Sequence, residues 1–239
     1  MIIVHELFNW VIVAYKYFML TKTNYQVSLD LIEIALKEIP SDNFRYTINQ
    51  PTDSFFYDPW KIKEEFKNTI WESILKTINE PIGEARIIIL EPGKCYQGHA
   101  DIDDRYHLNL CSDESFLIDL ENNVLYKLTT DGFWYNMNAG IRHTAMNVGR
   151  VTRIQLVVRQ LLKNNILKNS VPVCIKFNDI TDEHARFIFD EKLSPLLNHF
   201  DKSGLINKFE YGKTFVKFNI EKESKDTLNK MLPENFELL

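Results

Sequence analysis

Between residues 84 and 161 the chain alternates between short β-type segments and turn signals, and this pattern constrains the fold more than any other feature of the sequence. The turns contain Pro92-Gly93, Asp103-Asp104 and Thr130-Asp131-Gly132. Many short strands at such spacing predict an antiparallel sandwich or barrel. The segments are Arg86–Leu90, Tyr106–Leu110, Ser115–Asp119, Val124–Leu128, Gly132–Asn136 and Arg153–Gln160.

The residues before this region, up to about residue 80, are expected to be mainly helical. Apolar residues recur at mostly helical spacing over Leu29–Ile39 and at every fourth position over much of Trp60–Asn79. The stretch Ser41–Pro59 between them is predicted to be a loop with a short strand at Phe44–Ile48. We therefore expect two helices that support the β region.

Residues 165–239 change character again and predict a small α/β appendage. The expected fold class is thus α+β with a mainly β core. Residues 1–163 would form the main domain with its N-terminal helical support, and residues 164–239 a small C-terminal α/β subdomain. The predicted elements of the appendage are a strand at Val173–Phe177, a helix at Asp182–Phe200, a strand or hairpin at Phe209–Ile220 and a last helix at Ser224–Met231.

The composition is ordinary for a globular protein and argues against several classes of partner and site. Of the 239 residues, 45% are hydrophobic and 26% are charged, with a net charge of −5. There is no long basic run, so we expect no nucleic-acid partner. The cysteines Cys95, Cys111 and Cys174 lack CxxC spacing, which argues against a disulfide framework or a structural zinc site and favours a reducing, cytoplasmic location.

The N-terminal stretch Ile2–Leu20 is rich in apolar and aromatic residues but is not purely apolar. It contains His5, Glu6, Asn9 and Lys16, so it lacks the run of about 18 apolar residues that a membrane span needs. No small-residue cleavage site follows it. We expect a buried helix or strand–helix there, and no membrane partner.

A candidate metal site is formed by His99, Asp101 and His143. The first two are two residues apart, so on an extended strand their side chains point to the same side. His143 lies in a second β-type segment and would supply a third ligand. Two imidazoles and one carboxylate with open coordination positions suit non-haem Fe(II), whereas zinc more often takes a closed set or three ligands plus water. Asp103 and Asp104 offer alternative carboxylates across a turn, with a less suitable spacing.

Ten residues after His143, Arg153 shares one face of its predicted strand with Gln155 and Val157. An arginine that points into a barrel is costly unless it meets an anion. A carboxylate co-substrate would meet that need through a bidentate pair. Arg153 is therefore the leading candidate for binding such a co-substrate.

Arg105 and His107 share a face of another predicted strand with Asn109, so all three are candidates for lining the pocket. Arg105 is a second candidate for binding an anion, either the co-substrate or a substrate carboxylate. The alternative for Arg105 is a salt bridge to a nearby aspartate, and the alternative for His107 is a buried, hydrogen-bonded core position. Arg142 and Arg159 are expected at the surface or behind the site, and Trp134 and Asn147 in structural roles.

These motifs resemble those of the Fe(II)/2-oxoglutarate-dependent oxygenases, in particular the branch with aspartyl/asparaginyl β-hydroxylases and bacterial proline hydroxylases. The family pattern is His-x-Asp, then a distal His, then an Arg about ten residues later. His99, Asp101, His143 and Arg153 match it in order and spacing. The flanking Pro92-Gly93 turn also fits, and the resemblance covers roughly residues 80–160.

The resemblance implies a double-stranded β-helix, also called a jelly-roll or cupin-like fold. It implies that the two histidines and Asp101 bind Fe(II), and that Arg153 binds the distal carboxylate of 2-oxoglutarate. It also implies that dioxygen is used to hydroxylate an amino acid, or an aspartyl, asparaginyl or prolyl residue of a peptide or protein, with succinate and CO2 as co-products. A non-catalytic or 2-oxoglutarate-independent cupin-type metal-binding protein is the alternative. Substrate identity and oligomeric state stay open.

Overall fold

The computed structural model describes residues 18–39, 45–52, 59–161 and 169–239, with the backbone alone for 208–211. Up to residue 161 the described chain is dominated by β-strands. In chain order its elements are β1 (Leu20–Gln26), α1 (Leu29–Lys37), β2 (Arg45–Thr47), β3 (Asn49–Gln50), β4 (Lys61–Ile62), α2 (Ile70–Leu75), β5 (Ile82–Leu90), β6 (Arg105–Cys111), β7 (Ser115–Asp119), β8 (Val124–Lys127), β9 (Phe133–Met137), β10 (His143–Asn147) and β11 (Arg153–Gln160).

Two antiparallel sheets form the core, which is a double-stranded β-helix. The larger sheet has six strands in the order β1-β9-β6-β11-β5-β2, and the smaller has three in the order β10-β7-β8. The segment before β6 extends the smaller sheet through bridges from Cys95 to Met146 and from His99 to His143. Side chains from both sheets meet in between, including the buried Leu117, Met137 and Ala145.

The larger sheet buries one face under helices and turns the other toward the interior between the sheets. On the outer face, Ile87 of β5 and Leu156 of β11 are fully buried against α1 and α2, together with Trp71. Because side chains alternate along a strand, the neighbouring positions of β5, β6 and β11 point inward. The strong alternation of these strands therefore creates an apolar outer face and a polar inner face.

Residues 169–239 form a second, four-stranded antiparallel sheet with helices. It packs around its own core, which includes Leu197 and Phe218, and it also takes in Ile102 from the barrel. The Asn198 amide donates to the main-chain carbonyl of Ile102 at 2.5 Å. The elements are β12 (Ser170–Lys176), α3 (Glu183–Ile188), α4 (Ser194–Lys202), β13 (Ile206–Tyr211), β14 (Phe215–Glu221), α5 (Lys225–Met231) and β15 (Glu237–Leu238). The strand order in the sheet is β13-β14-β12-β15.

A π-helical segment, Phe189–Leu193, joins α3 to α4, so the predicted helix Asp182–Phe200 is present but interrupted. Pro195 explains the interruption. A proline has no N–H to donate, and in a continuous α-helix its partner would be the carbonyl of Glu191. The wider turn in front of Pro195 accommodates that missing hydrogen bond.

The prediction of a mainly helical region up to residue 80 is wrong in two places. Residues 20–26 form strand β1 at the edge of the larger sheet. The predicted helix Trp60–Asn79 is helical only at α2, because the preceding residues form β4 and a 3-10 turn and Asn68 has a left-handed φ of 58°. The apolar residues at every fourth position of this segment all pack against the same core, whether the local backbone is a strand, a turn or a helix.

Two other expectations for this region have different outcomes. The helix at Leu29–Ile39 is confirmed as α1, whose N-cap Ser28 accepts from the backbone N–H of Leu31. The stretch Ile2–Leu20 lies mostly outside the described residues, as do much of the 41–59 loop and residues 162–168. No helix in the described part of the chain is long and apolar enough to cross a bilayer.

Candidate metal centre and its two cavities

The structure brings His99, Asp101 and His143 together at one end of the smaller sheet. One potential ligand atom from each lies within 4.8 Å of the others. The two histidines form an antiparallel bridge, in which the His99 N–H donates to the carbonyl of His143 at 2.9 Å and the reverse bond is 2.8 Å. The N–H of Asp101 donates to the carbonyl of Ala139 at 2.7 Å. Backbone hydrogen bonds therefore fix all three positions before any metal is considered.

Both imidazoles are oriented so that one ring nitrogen is available to a metal. Nδ1 of His99 lies 2.9 Å from the carbonyl of Gln97, and Nδ1 of His143 lies 2.7 Å from that of Ile141. A carbonyl only accepts, so each Nδ1 carries the proton and each Nε2 keeps its lone pair. With the carboxylate of Asp101 this gives three donors on one side and open positions opposite, a set that fits a divalent iron.

The electrostatics of the site keep these ligands in their metal-binding protonation states. Burial alone would raise the pKa of Asp101, but Arg105 and the two histidines outweigh it and lower that pKa. Burial lowers the pKa of His143 to about 4, against the opposing effect of Asp101. At neutral pH the carboxylate is therefore ionised and the His143 imidazole is neutral, as ligation requires.

The alternative carboxylates, Asp103 and Asp104, are engaged elsewhere. Asp103 is buried and forms a salt bridge at 2.7 Å with Arg105 and another with Arg159. Asp104 accepts from the N–H of Ala139 at 3.0 Å. Arg105 thus makes the aspartate salt bridge considered from sequence, yet its guanidinium also lies 3.6 Å from Asp101 and lines the cavity at the metal site.

Arg153 lies on the inner face of β11 with only 2% of its surface exposed. Its Nε and Nη1 have no hydrogen-bond partner among the described residues. The ring of Tyr96 lies 5.7 Å from its Cζ. Burial lowers the pKa of Arg153 to about 10, which leaves the guanidinium charged at neutral pH. Tyr96 also hydrogen-bonds to this guanidinium. A buried charge with two unused donors suits an anion. The binding of a co-substrate by Arg153 stays a prediction.

His107, Asn109 and Gln155 continue this polar face across the sheet. Gln155 is directly opposite Asn109 in the register of β11 and β6. Each of the three has a buried polar atom without a partner among the described residues. Burial, followed by the charges of Arg153 and His143, lowers the pKa of His107 to about 3, so its ring is neutral. His107 lines the pocket; its role in binding a co-substrate stays a prediction.

Two cavities adjoin at the candidate centre. The inner one, about 70 Å³, contains the three predicted ligands with Arg105, His107 and Arg153. The outer one, about 830 Å³, is bounded partly by the barrel and partly by residues around α3. Both are lined by Arg86, Ile88, Tyr96 and His99, so these four side chains form the passage between them.

Sequence reasoning missed Arg86 and Tyr96 as cavity residues. Arg86 begins the predicted strand Arg86–Leu90, and its own sequence context gives no indication of a cavity. Its signal is in the pairing, because Arg86 lies opposite Val157 and Leu90 opposite Arg153. Paired residues in an antiparallel sheet point to the same face, so the inward face of β11 identifies that of β5. Tyr96 follows the Pro92-Gly93 turn and lies outside the predicted strands, so strand pairing could not identify it as a cavity residue.

Neither cavity is lined by Arg142, Arg159, Trp134 or Asn147. Arg159 is 4% exposed, so it is not at the surface, and it pairs with Asp103 behind the site. Arg142 forms a salt bridge with Glu191. Trp134 donates its indole N–H to Thr77 at 2.9 Å, and the Asn147 amide donates to two backbone carbonyls at 2.9 Å. Trp134 and Asn147 thus have structural contacts, as expected.

Comparison with known proteins gives weak similarities. No protein family model matches the chain, and no curated protein matches it significantly in sequence. A Pseudomonas putida prolyl-4-hydroxylase is 15% identical, with 60% of this chain and 92% of that one covered and a TM-score of 0.38. A Burkholderia pseudomallei oxidoreductase of the 2OG-Fe(II) oxygenase family is 10% identical, with 60% and 84% covered and a TM-score of 0.40. A Bordetella pertussis cupin domain is 18% identical, with 34% and 84% covered and a TM-score of 0.30. Similarities of this size assign neither a family nor an activity to the chain.

Proposed function

We propose that this protein is an Fe(II)- and 2-oxoglutarate-dependent oxygenase that hydroxylates an amino acid or an amino-acid residue. The observation that carries the proposal is the position of Arg153. Its buried, incompletely paired guanidinium lies in the same small cavity as two imidazoles and a carboxylate. A metal site alone is common to many proteins, whereas a metal site with a buried cation beside it suits a co-substrate that carries two anionic ends.

Each residue of the cavity has a definite role in this proposal. His99, Asp101 and His143 would hold the iron, which when bound supplies the activation of dioxygen with 2-oxoglutarate as the reductant. Arg153 would bind the far carboxylate of 2-oxoglutarate, and Tyr96 packs beside its guanidinium. Arg105 bridges Asp101 and Asp103, so it would hold the ligand carboxylate in place.

The walls of the inner cavity favour a dry reaction site. Leu117, Met137, Ala145 and Val157 line it, and all four are buried. Exclusion of water strengthens the attraction between Arg153 and a carboxylate, because the pair is not screened by solvent. The same walls would keep a reactive site away from the protein surface.

Two finer points belong to the proposal. The assignment to the aspartyl/asparaginyl and prolyl hydroxylase branch is supported by the sequence motifs around residues 80–160. The division into a main domain, residues 1–163, and a small subdomain, residues 164–239, is supported by the separate sheet and core of the described residues beyond 169.

Conversion of 2-oxoglutarate to succinate by the purified chain with Fe(II) and dioxygen tests the proposal. We expect succinate formation, and a loss of at least about 100-fold in His99→Ala and Asp101→Ala, because changes behind a metal ligand already cost about 10–100-fold. His184→Ala and Asp226→Ala are matched controls at exposed positions and should retain the activity. Undiminished succinate formation in the two ligand variants would refute the assignment.

A further inference from the structure

The outer cavity has a charge pattern opposite to that of the whole chain. The chain carries 28 lysines and arginines against 33 aspartates and glutamates. The described cavity lining, in contrast, has more cations than anions. Its charged residues are Arg45, Arg86, Lys94, Arg186, Glu91 and Asp190. Its volume of about 830 Å³ is in the range of small-molecule binding sites. A cationic cavity over the candidate metal centre favours a ligand with an anionic group.

Among the described cations of the outer cavity, Arg86 alone also lines the inner cavity. Its side chain is 17% exposed and its Nη1 lies 3.2 Å from Glu84. Glu84 also lies 4.0 Å from the guanidinium of Arg45, so one carboxylate serves two arginines. The pair therefore keeps an excess positive charge, which a ligand carboxylate would neutralise. The contact with Glu84 at the same time restrains the Arg86 side chain.

Asp190 contributes a negative charge to the outer cavity, from the wall formed by residues around α3. It is 4% exposed, and its Oδ2 accepts from Nε of Arg186 at 2.8 Å. Its Oδ1 is buried and has no hydrogen-bond partner among the described residues. Asp190 lines the same outer cavity as His99, and burial raises the pKa of Asp190 against the opposing effect of Arg186. A buried carboxylate oxygen without a partner is a site for a hydrogen-bond donor, and a cationic donor suits it best.

The backbone around Asp190 is independently unusual. Asp190 belongs to the π-helical segment Phe189–Leu193, between α3 and α4. Such wide turns are rare and often occur at functional sites, because they reposition side chains that a regular helix would place elsewhere. The adjacent Glu191 anchors the segment to the barrel through its salt bridge with Arg142. The C-terminal region thus supplies one wall of the outer cavity.

We propose that the outer cavity binds the substrate as a free, zwitterionic amino acid, with its carboxylate on Arg86 and its ammonium group on Asp190. The inference rests on the proposed function and narrows its substrate class. A residue within a peptide chain has neither an α-carboxylate nor an α-ammonium group, so it would leave both side chains without their partners. The two residues therefore select free amino acids over protein-bound ones.

Calorimetric titration of the full chain tests this directly. The chain is titrated without oxygen, with and without Fe(II) and 2-oxoglutarate, using each of the twenty L-amino acids. For each amino acid that binds, the carboxamide removes the carboxylate and the N-acetyl derivative removes the ammonium group. We expect at least one amino acid to bind and both derivatives to bind at least about tenfold more weakly. These comparisons use the unchanged protein, so they do not depend on the folding of a variant.

Single substitutions then test which residue binds the carboxylate and which binds the ammonium group of the amino acid. Arg86→Gln and Asp190→Asn should each weaken binding of the amino acid at least about tenfold. Arg150→Gln and Asp226→Asn are matched changes at exposed positions outside both cavities, and they should remain within about twofold of the wild type. The carboxamide should bind Arg86→Gln and the wild type equally, because it makes no ion pair with either.

Three results would overturn the inference: no free amino acid binds the wild type, the blocked derivatives bind as tightly as the parent, or both cavity variants bind like the wild type. Its failure is distinguishable from failure of the proposed function. Succinate formation without binding of any amino acid would refute the inference alone. Binding of an amino acid without any Fe(II)-dependent succinate formation would refute the oxygenase proposal and retain the binding site.

Discussion

The two candidate histidine ligands are prepared for a metal by contacts that involve no metal. The Nδ1 atoms of His99 and His143 are held by the carbonyls of residues two positions earlier in the chain. This repeated local geometry leaves both Nε2 atoms facing Asp101, whose carboxylate lies 3.8 Å from Nε2 of His99. Preformed ligands reduce the ordering cost of metal binding.

The pKa of His107 tests whether the inner face of the larger sheet is buried. In the unfolded chain an imidazole titrates near pH 6.5, whereas in the folded chain the pKa of His107 is about 3. Between these values the unfolded chain binds more protons, so stability decreases as the pH falls from 6.5 toward 3. One such group contributes at most about 1.4 kcal/mol per pH unit.

We therefore expect the free energy of unfolding of His107→Gln to fall less steeply than that of the wild type between pH 6.5 and pH 4.5. Urea denaturation at several pH values measures both slopes. His184→Gln removes an exposed histidine and should leave the slope unchanged. Equal slopes in His107→Gln and the wild type would mean that the ring of His107 titrates normally in the folded protein.

At the scale of the elements, successive residues of strand β5 have different roles: those on the outer face stabilise the core, and those on the inner face line the candidate site. Ile87 points outward and is fully buried beneath the helices, whereas Ile88 points inward and lines both cavities. Neighbouring residues of identical type thus face two different environments. The same alternation operates in β6 and β11, which is why one sheet can support a core on one side and a polar site on the other.

Truncation of these two isoleucines should have different consequences. Ile87→Ala should lower the free energy of unfolding by about 2–5 kcal/mol through lost burial and a cavity, with little change in Fe(II) affinity. Ile88→Ala should cost less stability and alter the binding of ligands in the passage. Chemical denaturation and calorimetric titration of both variants measure the contrast. A larger stability loss in Ile88→Ala than in Ile87→Ala would contradict the assigned faces.

The strands of the barrel could be predicted well from the sequence, because their side chains alternate between two faces with different surroundings and the residue types alternate with them. Strands β7 and β11 have the predicted bounds Ser115–Asp119 and Arg153–Gln160. Strand β1 escaped prediction because it is a polar edge strand, whose exposed positions carry little periodic signal. The candidate ligand triplet was predicted from the His-x-Asp spacing together with the resemblance to oxygenases, whereas Arg86 and Asp190 could not be found in this way. Their shared cavity arises from strand register and from the packing of a distant helix.

On the scale of the whole molecule, an acidic chain concentrates cations around one site. Arg86, Arg105 and Arg153 all line the inner cavity, although the chain as a whole has a net charge of −5. Asp101 and Asp103 neutralise part of this charge through Arg105, and a bound divalent metal would add to it. The described part of the chain is therefore complementary to anionic ligands at the place where the candidate metal ligands meet.

Anaerobic calorimetric titration of 2-oxoglutarate into the Fe(II)-loaded chain tests the central claim most directly. We predict one site per chain that is lost without Fe(II) and in Asp101→Ala. In Arg153→Met, binding should be about 10–150-fold weaker at unchanged Fe(II) affinity, because hydrogen bonds to a charged group contribute about 1.5–3 kcal/mol. Arg150→Met, at an exposed position, should bind like the wild type. Binding of 2-oxoglutarate that is equally tight without Fe(II), or unchanged in Arg153→Met, would contradict the account.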